Sequence, residues 1–337
     1  MENLLNALVL FSNFVLVPGI AYGAQLALGA LGVTLIYAVL RFSNFAHGDT
    51  MAFGTAVVVL LTFWLQARGI GLGPLPTALI ALPVGMLAAA VLVLLTDRWV
   101  YRFYRKQRSA GVIFVMASVG VMFIYNALTR FLVGTDDRRF EDGERFLIRV
   151  ADFRAMTGLD QGLAIRTSQV LTVVVMIVTV ALVFWFLQKT RTGKAMRAFS
   201  DNEDLALLSG ISPDRVVAIT WILAGCLATI AGTLYGLDKS FRPFTYFQLL
   251  LPIFAAAIVG GIGQPFGAIA GGFIIAMSEV MVTYAYRGVL GYLLPEAWMP
   301  SGLVQLLSTE YKFAVSFIIL VVVLLVRPTG IFRGRVI

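Results

Sequence analysis

The side chains able to do chemistry are few, and they stand singly within long apolar stretches. His47 is the only histidine and Cys226 the only cysteine among the 337 residues. One histidine with no cysteine near it cannot form a metal site, and one cysteine cannot form an intrachain disulfide. No nucleophile stands beside a base, so an intramembrane enzyme has no support in the sequence. We therefore expect no metal, no cofactor and no catalytic residue in this chain.

Two polar features interrupt the apolar stretches. The break Arg41–Asp49, RFSNFAHGD, places Asn44, His47 and Asp49 between two apolar runs. These residues either line a polar passage or satisfy backbone groups that the break frees. Glu279 is the only acid well inside a predicted span, and it either faces the bundle or pairs with Arg287. No span carries the series of ionisable residues that a proton-coupled carrier needs.

No stretch matches a nucleotide-binding loop. GIGQPFG at 261–267 has the pattern GxGxxxG rather than GxGxxG, and no strand precedes it. Gly193-Lys194 is followed by Ala195 and lacks the upstream glycine of a P-loop. The chain is therefore not expected to bind ATP itself.

The composition indicates a membrane protein that crosses the bilayer several times. Hydrophobic residues make up 59% and charged residues 13% of the chain, and the mean hydropathy is +0.89. Soluble domains are nearer one half apolar and one quarter charged. The net charge of +8 lies largely in short loops beside apolar runs, where it sets topology and meets anionic lipid rather than nucleic acid.

The apolar runs predict eight or nine membrane-spanning helices in one transmembrane domain, 1–337. Met1–Pro18 is either an interfacial helix or a first half-span. The clear spans are Gly19–Leu40, Thr50–Leu65, Thr77–Leu95, Ser109–Phe131, Val170–Leu187, Val216–Leu237 and Tyr311–Val326. Phe244–Tyr286 is predicted to cross twice, with its glycine-rich break at the cytoplasmic side.

Basic residues predict which loops lie in the cytoplasm. Asp97–Arg108 carries five basic residues against one acid, and the tail carries Arg327, Arg333 and Arg335 with no acid. Both are expected to be cytoplasmic. The longest polar stretch, 134–166, has six arginines and seven acids. This near balance is typical of an external loop, because long loops obey the charge rule weakly.

The most charged interruption, 189–215, is predicted to be a cytoplasmic loop. Within it, Asp201–Gly210 is predicted to be one short helix, with Asp201 as N-cap and Gly210 as the stop. Leu205, Leu208 and Ile211 share a face of that helix. It is either a docking element for a soluble partner or an ordinary surface helix.

Small residues recur in two corresponding places. A span, a break and another span occupy 24–62 around NFAHG and 248–285 around GGIGQPFG. Paired interrupted spans point to a transport path, although chance also produces such pairs in glycine-rich helices.

Glycines four residues apart let helices pack closely. Such pairs are Gly19 with Gly23, Gly232 with Gly236, and Gly263 with Gly267 and Gly271.

Four stretches together resemble the permease subunits of branched-chain amino acid ABC importers, of the type that bears NFAHG. They are LGVTLIYAVLRFSNFAHGD, KAMRAFSDNEDLALLSGI, AAAIVGGIGQPFGAIAGGFIIAMSE and the RPTGIF end. They extend from about Gly19 to Phe332, with weak matching in 134–166. The resemblance implies an all-α bundle of membrane helices, with interrupted helices, in the bacterial inner membrane.

The resemblance also implies partners and sites. The partners are a second similar permease, two cytoplasmic ATP-binding subunits and an extracytoplasmic substrate-binding protein. It places a translocation path at Thr34, Tyr37, Asn44, His47 and Gly48. It implies ATPase coupling at Glu203, Asp204 and Gly210 of the loop 189–215, and at Gly261 and Gly263 of the second break.

Departures from the family pattern leave the substrate open. Asp49 stands where Glu is usual, Ala38 where Gly is usual, Leu26 where an aromatic residue is usual, and Gln264 where Ser is usual. The substrate is therefore a branched-chain amino acid or a related solute, since relatives carry urea, short amides or aromatic acids. The alternative is a stand-alone carrier or channel for small amino-acid-like or amide solutes. The basic loop with its amphipathic helix favours the importer, because a carrier needs no docking site.

Overall fold

The structure, a computed structural model, describes residues 2–140, 145–295, 298 and 302–332, and nearly all of its regular structure is helical. In chain order the helices are α1 (Glu2–Phe11), α2 (Val17–Leu40), α3 (His47–Ala67), α4 (Ala78–Thr96), α5 (Arg102–Lys106), α6 (Gly111–Val133), α7 (Val150–Thr157), α8 (Thr167–Lys189), α9 (Arg191–Asp201), α10 (Glu203–Leu208), α11 (Pro213–Asp238), α12 (Pro243–Gly260), α13 (Pro265–Thr283), α14 (Arg287–Leu293) and α15 (Lys312–Val326). Two short strands, β1 (Phe146–Ile148) and β2 (Ile165–Arg166), pair antiparallel.

Nine helical segments of the described residues are long and apolar enough to cross a bilayer. This confirms the prediction of eight or nine spans. The first segment runs without interruption from Glu2 to Leu40, because a π-helical turn at Ser12–Leu16 joins α1 to α2. A second π-helical turn, Asp97–Tyr101, joins α4 to α5. Phe244–Tyr286 forms two short spans, α12 and α13, as predicted.

The loops between successive spans gather at two opposite ends of the bundle. We call the first the basic end; it comprises 41–46, 107–110, 190–212, 261–264 and 327–332. There the Arg41 guanidinium donates to the Ser200 carbonyl at 2.5 Å, and the Ile331 N–H donates to the Val259 carbonyl at 2.8 Å. These contacts join two stretches that the charge rule predicts to be cytoplasmic, 189–215 and the tail, to the first break and to the end of α12. Arg333 and Arg335 of the predicted cytoplasmic tail lie outside the described residues.

The described residues of the opposite end are 68–77, 134–140, 145–166, 239–242, 284–295 and 302–308. The Arg138 N–H donates to the Phe241 carbonyl at 2.9 Å, and the Gln161 N–H donates to Asn6 Oδ1 at 3.0 Å. The predicted external loop 134–166 is therefore on the other side of the bundle from 189–215. It holds α7 and the ribbon β1–β2.

Close packing of α2 against α13 and α11 against α3 forms the centre of the bundle. A Cβ added at Gly19 would lie 2.6 Å from Met277 Sδ, and one at Gly23 would lie 2.6 Å from Phe273 Cδ1. The glycine pairs thus allow the close approach that their spacing predicts. Gly263 is an exception: nothing lies within 4 Å of its Cβ position, and its φ of +82° serves a turn.

Apolar side chains cover the outside of the bundle. Leu87 of α4, Met116 and Phe123 of α6, and Trp185 of α8 are all exposed. A soluble protein would not expose so much apolar surface, but lipid tails accept it.

Candidate functional sites at the helix break and the basic end

The break after α2 is shorter than its polar sequence predicts. Only residues 41–46 are non-helical, and His47, Gly48 and Asp49 form the first turn of α3. Arg41 ends α2 in the left-handed region, and its N–H donates to the Tyr37 carbonyl at 3.0 Å. Asn44 Oδ1 accepts from the Ala46 N–H at 3.2 Å. The asparagine therefore satisfies one of the backbone groups that the break frees.

The break extends from the basic end towards the middle of the membrane. A Cβ on Gly32 would lie 2.7 Å from Cε1 of His47, with the Ala224 carbonyl also close. At about 1.5 Å per residue, Gly32 is about 12 Å from the end of α2, and Ala224 is about 16 Å from the start of α11. His47 thus lies near the centre of a hydrocarbon layer of about 30 Å. Irregular backbone at this depth must be enclosed by protein, and Asn44, Ala46 and His47 are buried.

A network of aromatic and charged side chains ties the break to the segment 97–106. The Tyr101 hydroxyl donates to Asn44 Oδ1 at 3.4 Å. The Tyr101 ring stacks on Trp221, with 5.1 Å between centroids. Trp221 Nε1 donates to Asp97 Oδ1 at 2.8 Å, and Arg105 donates to both Asp97 oxygens, at 2.5 and 2.9 Å. Sequence reasoning missed this network, because its contacts join distant parts of the chain: Asn44 and Tyr101 are 57 positions apart, and Asp97 and Trp221 are 124 apart.

The residues predicted for the translocation path are mostly enclosed in this conformation. Thr34, Asn44, His47 and Gly48 are buried, whereas Tyr37 is half-buried. A Cβ on Gly48 would lie 2.7 Å from the Tyr246 carbonyl oxygen. Thr34 Oγ1 and His47 Nε2 have no hydrogen-bond partner among the described residues. The structure brings His47 against α2, and it holds Gly48 against α12.

Asp49, one of the departures from the family pattern, is fully buried. Its Oδ1 accepts from Asn126 Nδ2 at 2.8 Å. Nearby, the Phe45 N–H donates to Ser118 Oγ at 3.1 Å. Both contacts fix the break and the start of α3 to α6.

The predicted coupling loop is two helices rather than one. The basic stretch forms α9, and Asp201 is its last residue. The predicted cap was therefore wrong: Asn202 caps α10, because its Oδ1 accepts from the Leu205 N–H at 3.1 Å. An extended Asn202 separates the helices and leaves its amide oxygen free to cap. Gly210 ends the segment as predicted, with φ +79°.

The outer surface of α10 carries acids and exposed leucines. Glu203 and Asp204 occupy its first turn. Leu205 is 61% and Leu208 is 86% exposed, while Ala206 is buried against the bundle. The two leucines form a small exposed apolar surface beside the acids, at the basic end.

The second break forms a tight turn beside this loop. Gly261 and Gly263 have φ of +112° and +82°, and the Gln264 N–H donates to the Gly261 carbonyl at 3.1 Å. The described end of the chain packs on the turn, where the Phe332 N–H donates to the Gly260 carbonyl at 3.2 Å.

A cavity of about 310 Å³ joins the two predicted coupling segments. It lies among α2, α8, α9 and the second break. Its polar lining includes Gln188, Arg197 and Gln264, and its apolar lining includes Leu35, Val39 and Phe266. The coupling segments, which are about 60 residues apart in sequence, thus share one surface at the basic end.

Glu279 faces the bundle, and Arg287 is not its partner. The carboxylate is 1% exposed, and it accepts a hydrogen bond from the Ser316 hydroxyl of α15. Lys312 and Tyr22 lie beside it. The sequence offered Arg287 because it is near in the chain, whereas α15 supplies the actual neighbours from over 30 positions away.

Comparisons with known proteins agree along the chain. A sequence model of the family described as "Branched-chain amino acid transport system / permease component" matches residues 15–324. The high-affinity branched-chain amino acid transport system permease protein LivH of Escherichia coli K12 is 30% identical over 93% of this chain and 92% of its own length. The probable LivH permease of Methanocaldococcus jannaschii is 29% identical over 95% and 92%.

Two further similarities are weaker. The BraD permease protein of Pseudomonas aeruginosa, from a high-affinity branched-chain amino acid transport system, is 26% identical over 94% of each chain. The solved PsaBC complex of Streptococcus pneumoniae contains a chain with a TM-score of 0.47 at 12% identity, covering 98% of this chain and 93% of that one. A similarity at that level carries no argument about the fold.

Proposed function

Because the chain belongs to the family of branched-chain amino acid transport permease components, we propose that it forms one half of a membrane passage for a branched-chain or related amino acid. The family match along residues 15–324 is the observation that carries this proposal. The chain is a permease subunit of an ABC importer, embedded in the inner membrane. Its proposed partners are a second similar permease, two cytoplasmic ATP-binding subunits and a substrate-binding protein outside.

The ATP-binding subunits dock on the basic end. The loop 189–215 and the turn 261–264 share one surface there, and α10 presents Leu205 and Leu208 outward. Glu203 and Asp204 stand at the start of α10 and add charge to the apolar contact. Apolar surface supplies the affinity, and charged neighbours fix the orientation of the partner.

The passage opens beside the break after α2. Thr34 and His47 carry polar atoms near the middle of the membrane that no described residue satisfies. Movement of α3 relative to α2 would expose them to a passing solute. The network of Asn44, Tyr101, Trp221 and Asp97 joins the break to the segment 97–106 and to α11, and it provides a physical connection for such movement.

ATP supplies the energy through the docked subunits. A ligand shifts a conformational equilibrium only by its difference in affinity for the two states. The ATP-bound subunits must therefore bind one arrangement of the basic end more tightly than the other. Opening towards one side of the membrane then alternates with opening towards the other.

Purification of this chain from its native membrane under gentle conditions tests the proposal. Mass spectrometry should identify an ATPase with a P-loop and a second hydrophobic permease. Leu208→Ser should reduce recovery of the ATPase at least fivefold, whereas Leu87→Ser on the lipid-facing side of α4 should not. Recovery of the chain alone, with amino acid transport that needs no ATP, would instead establish a stand-alone carrier.

A further inference from the structure

A second cavity, of about 210 Å³, lies at the opposite end among the ends of α2, α11, α13 and α15. Tyr22 and Glu279 line its inner part, and Lys312 and Tyr284 line its outer part. Its volume corresponds to about seven water molecules at about 30 Å³ each. This size suits one small amino acid.

Glu279 presents an unsatisfied carboxylate oxygen in this region. One oxygen accepts from the Ser316 hydroxyl, but Oε2 has no hydrogen-bond partner among the described residues. The Tyr22 hydroxyl lies beside the carboxylate and is positioned to donate to it. A buried carboxylate costs free energy unless charge or hydrogen bonds compensate it, so an additional donor at Oε2 would be stabilising.

Lys312 presents the complementary charge. Its ammonium lies 5.5 Å from the Tyr22 ring centroid and 4.7 Å from the Phe313 ring centroid. No carboxylate of the described residues forms an ion pair with it, whereas Lys239 at the same cavity pairs with Asp238 at 3.5 Å. Aromatic rings hold the ammonium of Lys312 in place beside the Glu279 carboxylate, at the mouth of the cavity.

Apolar side chains complete the lining. Phe14 and Tyr284 stack with 6.4 Å between their ring centroids, and Pro18 and Val280 are further members of the wall. An aliphatic side chain fits such a surface, since its burial there removes apolar area from water.

From these contacts we propose that this cavity binds a free zwitterionic α-amino acid with an aliphatic side chain. The ligand's ammonium group binds Glu279 and Tyr22, its carboxylate binds Lys312, and its side chain packs on Phe14 and Tyr284. The site lies at the predicted external end and receives the solute before it reaches the break. The identity of the solute rests on the proposed function, whereas the charge pattern of the site does not.

A phosphatidylethanolamine headgroup also carries an ammonium and an anion, so the experiment separates the two sources. The full-length chain is placed in nanodiscs of phosphatidylglycerol alone, and binding of L-leucine is measured by scintillation proximity. The measurement is repeated with phosphatidylethanolamine in the nanodisc. A free amino acid site keeps its affinity for L-leucine within twofold in both lipids.

Analogues of L-leucine that lack one of its two charges show which residue contacts each charge. The wild-type chain should bind L-leucine at least tenfold more tightly than 4-methylpentanoate, which lacks the ammonium, or 3-methylbutylamine, which lacks the carboxylate. Glu279→Gln should remove the advantage over 4-methylpentanoate, and Lys312→Gln should remove the advantage over 3-methylbutylamine. Glu310→Gln, an exposed acid near the cavity, is the matched control and should change neither ratio.

If Glu279 and Lys312 had a purely structural role, their variants would have lower melting temperatures. Each variant would then not lose the one affinity ratio expected for it, which we call the crossed pattern. Where Glu279→Gln does not fold, Tyr22→Phe keeps the ring and should weaken L-leucine binding at least threefold. Absence of L-leucine binding to the wild-type chain overturns the inference. Retention of phosphatidylethanolamine through purification, lost in Glu279→Gln, assigns the site to a headgroup and also overturns it.

Different results would contradict the proposed amino acid site and the proposed permease function. ATP-dependent uptake by the assembled complex, unchanged in Glu279→Gln and Lys312→Gln, would leave the permease function standing without this site. Binding of L-leucine with the crossed pattern, but without ATP-dependent uptake, would leave the site standing in a different kind of transporter.

Discussion

Asn44 is the residue that holds the break after α2 in its observed shape. Its side chain accepts from the Ala46 N–H and from the Tyr101 hydroxyl. Both donors are buried, and loss of a buried partner costs about 1–3 kcal/mol. The amide therefore joins the backbone of the break to the aromatic cluster.

Asn44→Ala should lower the free energy of unfolding by about 1–3 kcal/mol and reduce uptake, because the two donors lose their acceptor. Thermal unfolding of the purified chain measures the first effect. Asn3→Ala, at an exposed position in the first turn of α1, is the control. If Asn44→Ala had the melting temperature and the uptake of the wild-type chain, Asn44 would have no special role in the break.

Gly32 leaves the space that the His47 ring occupies. Gly32→Ala should displace that ring, because the new Cβ would lie 2.7 Å from Cε1, and overpacking costs about 1–3 kcal/mol. Gly120→Ala in α6 is the control, since its Cβ position has no neighbour within 4 Å. Reduced uptake is expected for the first variant only. If both variants transport alike, the packing of His47 on Gly32 is not needed for transport.

At this scale the sequence identified the polar residues but not their partners. Asn44 and His47 stood out because so few polar residues interrupt the apolar runs. Tyr101 and Trp221 were not predicted as partners, because helix packing brings them together from distant parts of the chain. The same reason explains why Arg287 was offered for Glu279 in place of Ser316.

Among the elements, the segment 97–106 connects the break to α11. Asp97 is largely buried and holds Arg105 in a bidentate pair, while Arg102 and Asp214 form an exposed pair at 2.8 Å. A buried pair that loses one member leaves an uncompensated charge, whereas an exposed pair contributes little. The Asp97–Arg105 pair is therefore expected to matter more for stability than the Arg102–Asp214 pair.

Asp97→Asn should destabilise the chain by about 3–5 kcal/mol, because Arg105 loses its compensating charge. Asp214→Asn should change stability by at most about 1 kcal/mol, because water screens its pair. Chemical denaturation of the two variants in the same detergent makes the comparison. Equal losses of stability would contradict the role assigned to the buried network.

Helix α10 is the element expected to carry coupling. Gly210→Ala should reduce ATP-driven uptake, because a residue with a Cβ is strained at φ +79°. Glu203→Lys should act through charge and leave membrane insertion unchanged. Gly158→Ala, at φ +70° in the loop 134–166, carries the same strain away from the basic end and is the control. Normal coupling in both basic-end variants would remove α10 from the contact.

The elements were largely predictable, since apolar runs of about 20 residues give spans directly. The two short spans α12 and α13 followed from the requirement that both flanking segments start or end on one side. The division of 189–215 into α9 and α10 did not follow, because Asp201 and Asn202 are both good caps. The depth of the first break depends on packing against α2 and α11, which sequence alone does not show.

At the scale of the whole molecule, the described spans form a bundle whose two ends differ in kind. The basic end gathers exposed leucines, acids and the cavity between the two coupling segments. The opposite end gathers a longer loop and the cavity at Glu279 and Lys312. Such asymmetry fits a protein that binds a solute at one end and ATP-binding subunits at the other.

Reconstitution of the purified complex in proteoliposomes tests the central claim most directly. Uptake of radiolabelled L-leucine is measured with the partner ATPase in its native form, and again with the lysine of its P-loop replaced by alanine. We predict uptake that requires ATP and that the lysine variant abolishes. Equal uptake without ATP, or by this chain alone, would contradict it.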